Sequence, residues 1–252
     1  MNNYFDAFDH VAPDGPIDPG FDAEAFDTRM DAAGIVAELF RHADAEQAEQ
    51  MAAYMRDQFP FLGVRADARK ALTRPYFKVA KKDDRVDWSF VSSAWAYPQR
   101  EFQYVAVDYL RVVAGKLSAE DLPKLHTLIE SKSWWDTVDM FHPVIRQIAE
   151  REPEAKTAMR EWARADNVWT RRSAIIFQLG SRAGTDTELL SEIIVANLGR
   201  QGSAPGTEDF FINKAIGWAL REYSKTDAHW VRAFLADHEL ANLSMREASR
   251  YL

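Results

Sequence analysis

The chain has 252 residues, of which 47% are hydrophobic, and a formal net charge of −8. That length supports one large core or two small domains. Cysteine is absent, which excludes disulfides, thiol nucleophiles and cysteine-ligated metals and suits a reducing cytoplasm.

The net charge argues against a nucleic-acid partner until its location is considered. Residues 1–31 hold eight acids (Asp6, Asp9, Asp14, Asp18, Asp22, Glu24, Asp27, Asp31) and one base, Arg29, for a net of −7. The other 221 residues carry only −1, so a basic face on them is possible. Residues 1–30 also contain Pro13, Gly15, Pro16, Pro19 and Gly20. They read as a partly ordered acidic arm, pinned to the body by Phe5, Phe8, Phe21 and Phe26.

From Asp31 to Leu252 the pattern is helical almost throughout and reads as a single domain. Met51–Met55 and Phe59–Arg65 suggest a helix, a proline-glycine turn and a second helix. Between Arg100 and Ala114 the apolar positions are Phe102, Val105, Ala106, Tyr109, Leu110 and Val113. This is the stripe of one buried helix face. Comparable helices begin near Arg100, Trp135, Trp169 and Phe211, which are 35, 34 and 42 residues apart. Shorter helices are expected between them, over Ser118–Ser131, Pro153–Ala165 and Thr185–Leu198. Ser118 with Asp121, and Thr185 with Glu188, read as N-cap signals. Long and short helices alternating at this period predict an all-α fold of the HEAT or armadillo repeat type, a superhelix with a concave binding face. One long loop is expected, over Gly199–Thr207. No apolar run approaches the roughly 18 residues that span a bilayer, and no secretory signal opens the chain.

Four segments carry candidate chemistry. The first is Lys132-Ser133-Trp134-Trp135-Asp136-Thr137-Val138-Asp139. On a helix, Trp135 and Asp139 project from one face, and an indole beside a carboxylate suits a cation. Spacing alone favours the structural alternative, with Trp135 in a core and Asp139 capping or bridging a neighbouring helix. Trp134 and Trp135 differ by about 100° on a helix, so one can be core while the other lines a groove. Trp135 and Asp139 are expected to face the groove, and Trp134 and Asp136 are not. The second segment, Asn167–Ala174, opens a helix with a buried stripe of Trp169, Ser173, Ile176 and Phe177. Arg172, near the helix start, fits a phosphate grip and equally fits an ion pair with an acid on the adjacent helix. The third segment is Phe210–Tyr223. Gly217 within it costs about 1 kcal/mol relative to alanine and implies close approach of another helix. Trp218 follows it. The fourth is the Phe59–Arg65 turn with Tyr54 before it. The six histidines include no His-x3-His pair, so neither a metal nor another cofactor is expected.

Taken together, these motifs resemble one family. Ser-Trp-Trp-Asp-x-Val-Asp, Asn-x-Trp-x-x-Arg-x-Ala-Ile, Phe-Phe-Ile-x-Lys-Ala-Ile-Gly-Trp-x-Leu-Arg-Glu-Tyr and Phe-Leu-Gly-Val occur in the family's order, closed by Leu-Ser-x-Arg-Glu-Ala at Leu243–Ala248. Over Asp31 to Leu252 the chain is similar to the AlkD family of DNA alkylation-repair glycosylases. The acidic arm is outside the match. The resemblance implies excision of cationic alkylpurines, such as 3-methyladenine and 7-methylguanine, from duplex DNA. It places Trp135 and Trp218 as walls of the lesion cleft, Asp139 as the catalytic carboxylate, Arg172 at a phosphate contact and Tyr54 on the DNA-facing surface. It implies no metal, no membrane, a monomer, and engagement of the lesion without a snug base pocket. Two other readings stand beside it: a non-catalytic DNA-binding repeat protein and a protein-binding scaffold. A DNA-binding face requires Arg65, Lys132, Arg171, Arg172 and Lys214 to share the face of Trp135 and Trp218.

Overall fold

The structure is a computed structural model and describes residues 30–199 and 207–252, with side chains from residue 210 in the second stretch. The expected acidic arm, apart from Met30, lies outside the described residues, as does most of the Gly199–Thr207 loop. Among the described residues there are fourteen α-helices and no strand. The fold is all-α and of the helical-repeat type, as the 3.6-residue periodicity predicts. No described helix is long and apolar enough to cross a membrane. Within the expected 31–252 domain, contacts divide into two compact units, one ending at Leu117 and the other beginning at Ser118.

The first unit contains α1 (Ala32–Arg41), α2 (Ala45–Tyr54), α3 (Ala66–Ala80), α4 (Trp88–Ala96) and α5 (Arg100–Val112). Aspartates open three of them. Asp31 accepts from Gly34 N, Asp44 from Gln47 N and Asp87 from Phe90 N, which satisfies amides that no helical carbonyl can reach. Helix α5 packs against α3 and α4. Its predicted stripe is buried, but so is every residue from Arg100 to Leu110. Partners offset the burial of the polar side chains among them, although Gln103 Oε1 is left without one. Asp108 pairs with Arg69 at 3.2 Å, and Gln103 donates to the carbonyls of Trp95 and Tyr97. The guanidinium of Arg100 lies 3.7 Å from the Phe59 ring centroid.

The most demanding case is Glu101, which is fully buried. Its carboxylate accepts three backbone N–H groups, from Leu62 at 3.0 Å, Gly63 at 2.9 Å and Val64 at 3.1 Å. The Phe-Leu-Gly-Val motif is therefore a loop of amides wrapped around one carboxylate. Gly63 sits there at φ +89°, and a Cβ would lie 2.0 Å from the Asp44 carbonyl oxygen. Both the backbone conformation and the space require glycine.

The second unit contains α6 (Leu122–Glu130), α7 (Trp135–Val138), α8 (His142–Ala149), α9 (Pro153–Trp162), α10 (Val168–Ile176), α11 (Thr187–Val195), α12 (Thr207–Ser224), α13 (Ala228–Asp237) and α14 (Asn242–Ala248). Helix α10 is its hub, touching α6, α9, α11 and α12. The Ser118–Asp121 capping box is present, on a 3-10 turn that leads into α6. The expected Thr185 cap is not: Asp186 caps α11 by accepting from Leu189 N. Burial pushes the Asp186 carboxyl up, but the Leu189 amide and Lys156 outweigh it and hold the group below its ordinary value.

The helix expected from Trp135 is interrupted. One turn, α7, gives way to a 3-10 turn over Asp139–Phe141 before α8 begins. Pro143 supplies the reason. It has no N–H to give the Asp139 carbonyl four residues back, and its ring crowds that carbonyl.

Candidate functional site

Local chain geometry separates the two tryptophans. After α6 the chain reverses through Lys132, at φ +49°. Trp134 is then extended at φ −160° and ψ 159°, and its carbonyl receives the first amides of α7. Its indole packs against Trp169 and Phe211, at centroid distances of 5.7 and 5.4 Å, and these two rings are 4.6 Å from each other. Asp136 is buried. Trp134, Trp135 and Asp139 are all partly exposed.

Asp139 is gripped by Arg172 of α10. Nε donates to Oδ1 and Nη2 to Oδ2, both at 2.7 Å. The remaining terminal nitrogen, Nη1, donates to the Phe211 carbonyl of α12 at 2.7 Å. The Arg172 side chain is 5% exposed and that of Asp139 17%. This two-point geometry fixes the carboxylate plane as a single hydrogen bond cannot. The ion pair with an acid that its spacing allowed is formed.

The Asp139 carbonyl that Pro143 leaves without a helical partner is taken up by the next side chain. His142 Nδ1 lies 2.7 Å from it. A carbonyl only accepts, so Nδ1 carries the proton. The imidazole stands edge-to-face to Trp218, 6.2 Å between centroids. Asp139, Arg172, His142 and Trp218 thus form one connected group drawn from α8, α10, α12 and the turn before α8. His142 therefore stands beside the carboxylate of the site.

Helix α12 carries Trp218, half-buried, one turn after Lys214. Between them, Gly217 meets α14 as its sequence implied. A Cβ there would lie 2.6 Å from Glu247 Cβ and 3.0 Å from the Ser244 carbonyl oxygen. Glu247 bonds Lys214 Nζ at 2.7 Å and also bonds Arg221. Burial raises its carboxyl, but the Lys214 hydrogen bond and the charges of Lys214, Arg221 and Arg250 prevail and hold it below the usual glutamate value.

The basic residues do not fall as expected. Arg171 and Arg172 are buried, at 7% and 4% exposure, because α10 is enclosed by neighbouring helices. Neither offers an exposed guanidinium to a phosphate. Tyr54, 67% exposed, and the exposed Arg65 belong to the first unit. Exposed basic groups near Lys214 come instead from the C-terminal segment, as Arg246 and Arg250. His142 and Glu247 were missed as site residues. Their signals were a histidine before a helix-breaking proline and the glutamate of Leu-Ser-x-Arg-Glu-Ala.

An all-helical scaffold with an arginine-held carboxylate beside an indole defines a narrow class. The family model described as DNA alkylation repair enzyme matches residues 35–252, and the chain belongs to that family. A solved structure described as a predicted DNA alkylation repair enzyme from Enterococcus faecalis is similar, with 32% identity and a TM-score of 0.76. The match covers 83% of this chain and 96% of that one. No curated protein matches the chain.

Proposed function

We propose that the protein is a DNA glycosylase that releases cationic alkylated purines, such as 3-methyladenine and 7-methylguanine, from duplex DNA. The observation that carries this reading is the Asp139 carboxylate, held flat by Arg172 and joined through His142 to Trp218. Alkylation at purine N3 or N7 makes the base cationic. When the C1′–N9 bond breaks, the base keeps both electrons and departs neutral, so no strong general acid is needed. Positive charge moves onto the sugar as an oxocarbenium-like transition state. The faces of Trp135 and Trp218 attract the cationic base, and Asp139 stabilises the sugar charge. Asp139 also orients the water that attacks C1′.

In this scheme Arg172 is a positioning residue. Its bidentate grip leaves the carboxylate one orientation, and the His142 bond to the Asp139 backbone holds the turn that presents it. Tyr54 and Arg65 contact the DNA from the first unit. The protein works as a monomer in the cytoplasm, without metal or other cofactor, and engages the lesion through the backbone without a snug base pocket.

The lesion's own charge supplies the test. Duplexes carrying 7-methylguanine are expected to lose that base, while duplexes carrying neutral 1,N6-ethenoadenine are not. Efficient release of ethenoadenine with retention of 7-methylguanine would overturn the proposal.

A further inference from the structure

Beyond Trp218, an open cleft is lined by Lys214, Arg246, Glu247 and Arg250. Lys214 comes from α12, Arg246 and Glu247 from α14, and Arg250 from the 3-10 turn that follows α14. Arg246 and Arg250 are exposed and four residues apart, so they stand on one side of the C-terminal segment. Lys214, Arg221 and Arg250 all act on the single carboxylate of Glu247. Its two ion pairs are to Lys214 and Arg221, four residues before and three residues after Trp218 on the same helix. Glu247 Cβ is also the atom packed closest to Gly217. One residue therefore sets how α14 seats against the turn that bears the indole, and neutralises part of the charge beside it.

We propose that Lys214, Arg246 and Arg250 form a phosphate-binding cleft for the DNA strand beside the lesion, and that Glu247 positions this cleft against Trp218. The ligand is a backbone phosphodiester because the cleft offers two guanidinium forks and an ammonium, the donors that match phosphate oxygens. It also offers no apolar pocket for a base. Lys214 is one turn from Trp218, about 6 Å along the helix. A strand whose damaged nucleotide meets Trp218 has a neighbouring phosphate within reach of the cleft. Glu247 keeps Lys214 from collapsing onto that phosphate as a loose counterion and holds it in register with the indole.

The inference rests on the glycosylase reading for the word lesion but is tested separately from it. Binding of the full chain to an undamaged double-stranded oligonucleotide is followed at several salt concentrations. For R246Q/R250Q, the slope of log affinity against log salt is expected to shrink by about 1.8, at about 0.9 per lost phosphate contact. Both positions are exposed, so the fold is retained. E247Q removes the charge that holds Lys214 and Arg221 and leaves a single acceptor oxygen, so it is expected to bind more tightly, with a steeper slope, yet to release base more slowly at saturating protein. A residue that merely supported the fold would lower both. An unchanged slope in R246Q/R250Q overturns the cleft, and E247Q that binds more weakly overturns the positioning role. If the slope shrinks but the wild type frees no alkylated base, the cleft stands and the glycosylase reading falls. If base is freed and the slope is unchanged, the reverse holds.

Discussion

Asp139→Asn is expected to slow release of 7-methylguanine by about a hundredfold or more, the scale on which one electrostatic contact to a developing charge acts, about 3 kcal/mol. Asparagine keeps the shape of the side chain but not its charge. It also turns an amide N–H₂ toward an Arg172 nitrogen that itself donates, so one of the two 2.7 Å bonds is lost. The loss belongs to the chemical step, so affinity for undamaged duplex should change little. Single-turnover base release separates the two quantities. A variant that binds normally and releases base at the wild-type rate would remove Asp139 from the chemistry and leave it as a structural partner of Arg172.

Glu101→Ala is expected to be the most destabilising single change in the first unit, costing at least about 3 kcal/mol. Three buried amides, those of Leu62, Gly63 and Val64, lose their acceptor together, and each buried unsatisfied donor costs about 1–3 kcal/mol. Against a typical domain stability of about 5–15 kcal/mol, this is a large share. Glu101→Gln should cost roughly half as much. Its carbonyl oxygen can still serve Gly63 and Val64, while its amide faces the Leu62 N–H. Urea unfolding followed by circular dichroism measures both. A midpoint for Glu101→Ala close to the wild-type value would contradict the role given to the Phe-Leu-Gly-Val loop.

These two residues show what could be read from the sequence and what could not. The apolar stripe of α5 is periodic within one helix and was legible, as was the Gly217 contact, since a mid-helix glycine needs a close neighbour. The burial of Glu101 and Asp108 was not legible, because their partners lie 37 to 39 residues away. The ion pair of Arg172 is a contact of the same kind, 33 residues from Asp139. Spacing alone left it balanced against a phosphate contact. The break after α7 had a visible cause in Pro143. Its consequence, a carbonyl claimed by His142, depends on a side-chain bond that helical periodicity does not encode. The burial of Arg171 and Arg172 was not legible either, because a position near a helix start does not tell whether that helix is enclosed. The enclosure of α10 by α6, α9, α11 and α12 buries both.

The most direct test of the central claim is the mass of what leaves DNA. A duplex with a single 7-methylguanine is incubated with excess protein, and the small-molecule fraction and the strand are both weighed by mass spectrometry. The account predicts free 7-methylguanine in solution and an abasic site in the strand. A strand that keeps its guanine and has lost only the methyl group, or one that keeps the lesion intact, would contradict it.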